Sequence, residues 1–312
     1  MVGVDGVLII DKPAGMTSHD VVAHVRKILR VKRVGHTGTL DPFATGVLVI
    51  LVGRATRLAQ FLSGAEKEYT GVIRFGYETK TGDATGTRIE TRTRATAAKL
   101  TPEEIETAMS SLRGEIEQTP PMFSARKVGG EKLYELARRG KEVERKAARV
   151  QVFQFQAVSG DDSLRMNDDD TRDIAVHVVC SAGTYVRVLA EDLGHKLGVG
   201  AHLCELRRTR AGNFRVEQAL LPEQLTELSD SDSLEHALIS PDTALSHLPS
   251  IDLSPDDVPR VVHGINLRID GAGSNWKGNE SVRLRDPNGN LVAIGAYDAE
   301  GKYLHPRVVI AN

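Results

Sequence analysis

A loop at residues 35–46 constrains the fold of this chain more than any other segment. It reads GHTGTLDPFATG, with three glycines and three threonines, and the apolar run VLVILVG follows it at 47–53. Such a run is typical of a buried strand, so the loop lies where a strand enters the core. Pro42 fixes its own φ and favours an extended Asp41. The loop therefore presents one carboxylate, either as a nucleophile or general base or as a turn residue bonded to its own backbone.

Hydrophobic periodicity predicts both helices and strands along the chain. The predicted strands lie at 7–10, 47–53, 69–76, 149–158 and 174–180. One predicted helix starts at Ser18, and a second runs from an N-cap at Thr101 to Gly114. Two more helices are predicted at 131–139 and 185–197. Residues 229–259 are rich in Ser, Asp and Pro, which indicates a domain boundary. Short strands separated by the turns 286–289 and 298–301 predict a small β-rich domain at the C-terminus. The predicted fold class is therefore α+β.

Composition excludes several protein classes. The 312 residues carry a net charge of −2 and are 40% hydrophobic, which is typical of a globular protein. The sequence holds no apolar run near the roughly 18 residues of a membrane span. Its first residues lack the basic and apolar regions of a signal peptide. Cys180 and Cys204 are expected to be reduced thiols, so a cytoplasmic protein without membrane association is predicted.

Charge is segregated along the sequence. Residues 121–150 hold nine basic and four acidic side chains, a local charge of +5, whereas 219–260 hold nine acids and one arginine. A local basic surface can bind phosphate even when the total charge is near zero. The alternative is that each charged run is a solvated helix face.

The motif GHTGTLDPFATGVL resembles the catalytic motif of the TruB family of tRNA pseudouridine synthases. Further blocks resemble the family in the same order: GVLIIDKPAGMTSHD at 6–20, KEY at 67–69, GYETKTGDATG at 76–86, QTPPMFSARKVGGEKLYELARRG at 118–140 and GTYVRVLAEDLGHKLGVGAHLCELRRTRAGNF at 183–214. The resemblance covers almost the whole chain.

The resemblance implies a fold and a reaction. It implies a catalytic domain at 1–245 with a mixed, mainly antiparallel sheet and an RNA-gripping insertion at about 118–146. A PUA-like RNA-binding domain is implied at 250–312. The implied reaction converts uridine to pseudouridine at position 55, in the T loop of tRNA. It needs no cofactor and no metal, because the leaving group and the incoming nucleophile belong to one base.

The resemblance also implies roles for single residues. Asp41 would be the nucleophile, attacking either the ribose C1′ or the base C6. Tyr69 would stack on the flipped base and Arg187 would pair with the catalytic carboxylate. The implied substrate-binding residues are His36, Lys12, Tyr185 and Leu206, and the implied RNA-binding residues are Arg126, Lys127, Lys132, Arg138, Arg139, Arg207 and Arg208. Lys12 has two open roles, loop support or phosphate binding, and Leu206 and Tyr185 could be ordinary core residues.

Two other functions are compatible with this sequence. One is a tRNA-binding folding chaperone with little or no catalysis. The other is the related guide-RNA-dependent synthase, which works inside a protein complex. The block at 118–140 resembles the stand-alone form, so a monomer without an obligatory protein partner is predicted, with the T stem-loop of tRNA as its ligand.

Overall fold

The structure, a computed structural model, describes residues 5–89, 97–158, 164–230, 237–269 and 276–311. Its strands are β1 (Gly6–Lys12), β2 (Val34–Thr37), β3 (Thr45–Val52), β4 (Lys67–Phe75), β5 (Glu78–Thr79), β6 (Arg88–Ile89), β7 (Gly114–Gln118), β8 (Lys127–Val128), β9 (Glu131–Lys132), β10 (Ala148–Ala157), β11 (Leu164–Met166), β12 (Arg172–Cys180), β13 (Ala201–Ala211), β14 (Phe214–Arg215), β15 (Ser250–Asp252), β16 (Leu267–Arg268), β17 (Ser281–Arg285), β18 (Leu291–Asp298) and β19 (Tyr303–Val309). Its α-helices are α1 (Ser18–Leu29), α2 (Ala59–Ser63), α3 (Pro102–Ser110), α4 (Leu133–Arg138), α5 (Val186–Leu197), α6 (Pro222–Asp230), α7 (Pro241–Ala244) and α8 (Asp257–Val262). Short 3₁₀ helices cover Gly53–Leu58 and Val216–Gln218.

A central sheet organises the larger part of the molecule. Its strand order is β1-β3-β13-β4-β12-β10-β7, with β2 beside β3, β11 beside β12 and β14 beside β13. Neighbouring strands are antiparallel apart from β13 and β3, which run parallel with Arg208 opposite Gly46. This confirms the predicted α+β class and the mixed, mainly antiparallel sheet. The parallel pair also brings β13 to the end of the loop that carries Asp41.

Helix α1 begins at Ser18, as predicted, and connects the core to that loop. Thr17 caps the helix, because its side chain accepts from the Asp20 N–H while the Asp20 carboxylate accepts from the Thr17 N–H. The Ser18 hydroxyl donates to Leu40 O at 3.1 Å and accepts from Leu40 N at 2.9 Å. The apolar face of α1 packs against buried side chains of β1 and β3. The first helical residue therefore fastens the loop to α1, which itself packs on the sheet.

Two helices differ in extent from the prediction. Helix α3 has the predicted capping box at Thr101, but it ends at Ser110 because the chain turns at Gly114, with φ of +87°, into β7. Helix α4 begins at Leu133 rather than at residue 131, because β9 pairs with β8 as a short hairpin. Pairing between neighbouring segments overrode the helical pattern at that end.

The C-terminal part is β-rich, as predicted. Strands β15, β17, β18, β19 and β16 form a second sheet in that order. Leu291, Ile294 and Ile310 from this part share an apolar cluster with Val7 and Ile9 of β1, so the second sheet packs beside the β1 end of the central sheet. The domain limits 1–245 and 250–312 stay a prediction. Within the part of the chain that the structure describes, each helix is too short or too polar to cross a membrane.

Candidate active site

Main-chain hydrogen bonds fix the loop that carries Asp41. The loop joins β2 to β3, and these strands pair with each other. Within the loop, Ala44 N donates to Asp41 O at 3.1 Å, and from outside it Gly15 N donates to Pro42 O at 2.8 Å. The Asp41 side chain therefore leaves a backbone that is held on both sides.

A buried arginine holds the two ends of this loop together. Arg208 is 1% exposed; its Nε donates to Val47 O at 2.7 Å and its Nη2 to Gly38 O at 3.0 Å. Gly46, with φ of +99°, lies so near the Arg208 backbone that a Cβ would stand 2.2 Å from Arg208 O. Only glycine allows this close approach at such a φ. Strand β13 therefore packs directly against the loop and holds its two ends together through Arg208.

The Asp41 carboxylate pairs with a second buried guanidinium. Arg187 Nε lies 2.8 Å from Asp41 Oδ2, and the Arg187 side chain is 3% exposed. Its Nη1 lies 3.7 Å from Asp83 Oδ2 and donates to Thr81 O, while its Nη2 donates to Phe123 O at 2.7 Å. These contacts leave the guanidinium one orientation, and Asp41 takes its position from it. The pairing differs from the alternative of a turn aspartate bonded to its own backbone.

Burial and charge act in opposite directions on Asp41. Burial raises the pKa of Asp41 above its ordinary value, Arg187 lowers it, and Asp83 raises it further. Contact with a guanidinium favours the ionised carboxylate. The ionised form is the one that can act as a nucleophile or a base. The result is a positioned carboxylate that is more basic than an exposed aspartate.

The carboxylate faces a cavity of about 260 Å³. The predicted site residues that line it are Asp41, Tyr69, Tyr185, Arg187, Leu206 and Arg208, and Lys67 and Ser124 line it as well. Aromatic and aliphatic side chains thus share the wall with cations. Such a lining suits a ligand that has a flat ring and a negatively charged group close to that ring.

The two tyrosines of the cavity come from different elements. Tyr69 lies in β4 and is 6% exposed; burial raises the pKa of its hydroxyl, which therefore stays neutral. Tyr185 precedes α5, and its N–H donates to Gln118 Oε1 at 3.0 Å while Gln118 Nε2 donates to Tyr185 O at 3.3 Å. Gln118 ends β7, where the predicted insertion begins. The cavity wall is therefore tied to the root of that insertion.

Two predicted substrate-binding residues lie outside the cavity lining. Lys12 is fully buried, and its Nζ donates to Pro13 O at 2.8 Å, Met16 O at 2.7 Å and Pro42 O at 3.3 Å. These contacts fit loop support, the first of its two open roles. His36 lies half-buried in β2. Burial lowers the pKa of its ring, and its buried Nδ1 has no hydrogen-bond partner among the described residues.

The predicted RNA-binding cations fall into different environments. In the insertion, Arg126, Lys127, Arg138 and Arg139 are exposed and Lys132 is half-buried. Arg207 is 42% exposed and holds both carboxylate oxygens of Asp11, at 3.0 and 2.6 Å. Its neighbour Arg208 is buried at the loop, unlike the surface position predicted for it.

Sequence reasoning missed two charged residues of the site. Asp83 contacts Arg187 and is itself held by Thr81 and Thr85, whose hydroxyls donate to its Oδ1 at 2.8 and 2.6 Å. The spacing Thr81-x-Asp83-x-Thr85 is a signal for such a fixed carboxylate. Lys67, the first residue of β4, donates to main-chain oxygens beside α2, and burial lowers its pKa to about 8. Lys67 belongs to the KEY block at 67–69, but no feature of that block indicates that its lysine is buried beside the cavity.

Comparison with known proteins assigns this fold and site to a class. Residues 26–186 match the model of the TruB family pseudouridylate synthase N-terminal domain, and residues 187–246 match that of the tRNA pseudouridylate synthase B C-terminal domain. A chain in a crystal structure of a Cbf5-Nop10-Gar1 complex superposes with a TM-score of 0.74 at 29% identity, covering 98% of this chain and 84% of that one. Fold and site together define a pseudouridylate synthase.

Curated relatives narrow the class to one family. A protein of Geobacillus kaustophilus named tRNA pseudouridine synthase B is 45% identical over 265 residues, which are 85% of this chain and 91% of that protein. A protein of the same name from Solibacter usitatus is 41% identical over 306 residues, 98% of this chain and 100% of that protein. This chain belongs to the TruB family of pseudouridylate synthases.

Proposed function

We propose that this protein isomerises uridine to pseudouridine at position 55, in the T loop of tRNA, with Asp41 as the nucleophile. The observation that carries the proposal is the Asp41–Arg187 pair, 2.8 Å long, at the edge of a cavity lined by Tyr69 and Leu206. Membership of the TruB family supports the reaction, and the name tRNA pseudouridine synthase B on its relatives supports tRNA as the substrate.

The proposed reaction rearranges one base without an external reactant. An Asp41 carboxylate oxygen attacks either C1′ of the ribose or C6 of the uracil, and the C1′–N1 bond breaks. The base rotates while it stays in the cavity, and C1′ bonds to C5. The bond to Asp41 breaks, either at C1′ as C5 displaces the carboxylate or at C6 as the proton leaves C5, so the free carboxylate is regenerated. The proton lost from C5 balances the proton gained at N1, so the product has the atoms of the substrate. Arg187 keeps the carboxylate ionised and aimed during these steps.

The cavity residues receive supporting roles. The target uridine must leave the stacked loop to reach Asp41, as bases do in enzymes that act on them. Tyr69 offers a neutral ring on which the base can stack and a hydroxyl near the site of proton removal. Leu206 and Tyr185 complete the apolar wall, and His36 lies next to the loop where neighbouring nucleotides would pass.

The insertion is the proposed grip on the T stem-loop. Its exposed cations, Arg126, Lys127, Arg138 and Arg139, suit phosphate contacts, which fix register and give salt-dependent affinity. We further propose that the chain acts as a monomer without a protein partner, and that it acts in the cytoplasm. Its free thiols, Cys180 and Cys204, are consistent with a reducing compartment.

The test incubates the purified chain alone with an unmodified tRNA transcript and maps pseudouridine by site-specific chemical detection. Conversion is expected at the T-loop uridine, with none in a transcript that carries cytidine there. Asp41→Asn should bind the transcript like the wild type while turnover falls about 10⁴-fold or more, as for the loss of a catalytic nucleophile.

The outcomes separate this function from its rivals. Binding without conversion by the wild type would favour the folding chaperone. Conversion that appears only when a guide RNA and protein partners are added would favour the guide-dependent relative. Turnover by Asp41→Asn close to that of the wild type would reject Asp41 as the nucleophile.

A further inference from the structure

A second basic surface lies at the end of α1, away from the insertion. Residues 26–33 read RKILRVKR, with five cations and no acid. Arg26, Lys27, Arg30 and Lys32 line a shallow concave surface of about 470 Å³ together with Ala23 and Val31. The lining is therefore concave, cationic and free of carboxylates.

The cations of this surface are not neutralised by the protein. Lys27, Arg30, Lys32 and Arg33 are exposed, and no ion pair or hydrogen bond engages their side chains within the described residues. Arg26 donates from Nη2 to Val34 O at 2.8 Å, which anchors one end of the surface. Like charges so close together repel one another, and an external anion relieves that repulsion.

The insertion provides an internal contrast. Arg139 pairs with Glu131, and Lys132 lies 3.9 Å from Glu135. Part of the charge of the insertion is thus compensated locally, whereas the surface on α1 keeps all of its charge for a ligand.

The two basic surfaces flank the cavity. Helix α1 packs over β1 and β3, and the insertion follows β7 at the other end of the strand order. Five strand spacings of about 4.8 Å separate β3 from β7, roughly 24 Å. Eight residues of chain join Arg33 to Asp41, which places the patch at most about 29 Å from the carboxylate. An RNA held at the cavity and gripped by the insertion could extend past Asp41 to α1.

We propose that the α1 patch, formed by Arg26, Lys27, Arg30, Lys32 and Arg33, binds the phosphodiester backbone of the substrate tRNA outside its T stem-loop. The inference rests on the proposed function for the identity of the RNA. Phosphate is the ligand that unpaired, exposed Lys and Arg side chains around an open concave surface favour. The patch adds affinity and orientation for the whole tRNA and takes no part in the chemistry at Asp41.

The test compares two double variants that remove the same charge from different faces. Lys27→Gln/Lys32→Gln removes two of the five positive charges of the patch. Lys99→Gln/Lys196→Gln neutralises two exposed lysines that line a groove between α3 and α5. Affinity for full-length tRNA and for an isolated T stem-loop is measured over a range of salt concentrations, together with single-turnover rates at saturating RNA.

The patch variant should bind full-length tRNA about tenfold more weakly at physiological salt. The slope of its log affinity against log salt concentration should be smaller in magnitude by about 1 to 2, because two phosphate contacts are lost. Its affinity for the T stem-loop and its single-turnover rate should equal those of the wild type, and the control variant should match the wild type throughout.

Three results would overturn the proposal. They are unchanged binding of full-length tRNA by the patch variant, an equal loss for the T stem-loop, and an equal loss in the control variant. Failure of the proposed function would look different, because the wild type would then convert neither RNA. The comparison of tRNA affinity between the patch variant and the control variant would still decide whether the patch contacts tRNA.

Discussion

Around Asp41 the cations are buried, whereas those of the insertion lie exposed or half-buried. Lys12, Arg187 and Arg208 are each at most 3% exposed, and they donate to carbonyl oxygens or hold a carboxylate. In the insertion, Arg139 pairs with Glu131 at the surface. Exposed pairs contribute about 0 to 1 kcal/mol to stability, but breaking a buried pair costs about 3 to 5 kcal/mol. The same residue types therefore set geometry in one region, and in the other they are the residues proposed to bind RNA.

Arg187→Met should give the largest effect, because it leaves Asp41 and Asp83 without their shared cation. We expect a loss of about 3 to 5 kcal/mol in the free energy of unfolding, measured by urea denaturation. We also expect a fall of about 100-fold or more in the single-turnover rate, because Asp41, the proposed nucleophile, is no longer held in place. Asp83→Asn, which keeps the Asp41 pair, should lose less of both. An active, stable Arg187→Met variant would break the comparison at its strongest point.

Gly46→Ala tests how closely β13 presses on the loop. The new Cβ would stand 2.2 Å from Arg208 O, whereas at Gly15, which also has a positive φ, it would meet nothing within 4 Å. Both substitutions carry about 1 kcal/mol of backbone strain. Only Gly46→Ala adds a clash between main chains, so it should lower the melting temperature far more than Gly15→Ala. Equal melting temperatures would show that the loop can move away from β13.

The activity should depend on pH on both sides of neutrality. Burial raises the pKa of Asp41, so activity should fall with decreasing pH at values above the ordinary 3.8 of an aspartate. Burial lowers the pKa of Lys12 and of Lys67 to about 8. Above that pH, Lys12 would lose one of the three protons that it donates to carbonyls, and activity should fall again.

The pH profile of kcat/KM measures the fall in activity at acid pH and the fall at alkaline pH, here called the acid limb and the alkaline limb. The Lys67→Arg variant tests whether Lys67 causes the alkaline limb. An arginine keeps its charge at alkaline pH, so the alkaline limb should move upward in this variant if Lys67 contributes to it. A limb that stays in place would point to Lys12 or to the uracil itself. A profile in which activity does not fall at acid pH until below 3.8, and does not fall at alkaline pH near 8, would contradict the role of burial at the loop.

Arg138→Gln/Arg139→Gln in the insertion should have the smallest effect on the fold. Stability should change by less than about 1 kcal/mol, because the pair with Glu131 is exposed. Affinity for the T stem-loop should fall, with a decrease of about 1 to 2 in the salt slope. A loss of stability comparable to that of Arg187→Met would remove the distinction between the two regions.

Local pattern was sufficient for much of the fold. The capping boxes at Thr17 and Thr101, the apolar run of β3 and the alternation along β10 are properties of neighbouring residues, and the predicted elements formed there. Helices α3 and α4 differed in extent, because α3 ends before the turn at Gly114 and the first predicted residues of α4 form a hairpin with β8. The motif around Asp41 was likewise sufficient to single out the carboxylate, although its role as a nucleophile stays a prediction.

Adjacent arginines show what a sequence alone leaves open. Arg207 and Arg208 stand side by side in the sequence, and both were predicted to bind RNA at the surface. Side chains alternate between the two faces of a strand, so one of the pair points out to Asp11 and the other into the loop. Asp83 and Lys67 are also distant from Asp41 in the sequence, and the fold brings both of them to the site.

The sequence by itself determined many of the elements, the family and the carboxylate of the loop, because these depend on residues close together in the chain. The tertiary structure decided which cations hold that carboxylate and which remain at the surface. That choice depends on the parallel pairing of β13 with β3, which joins segments about 160 residues apart. Pairing at this separation is fixed by the packing of the whole sheet, and no local pattern of residues encodes it.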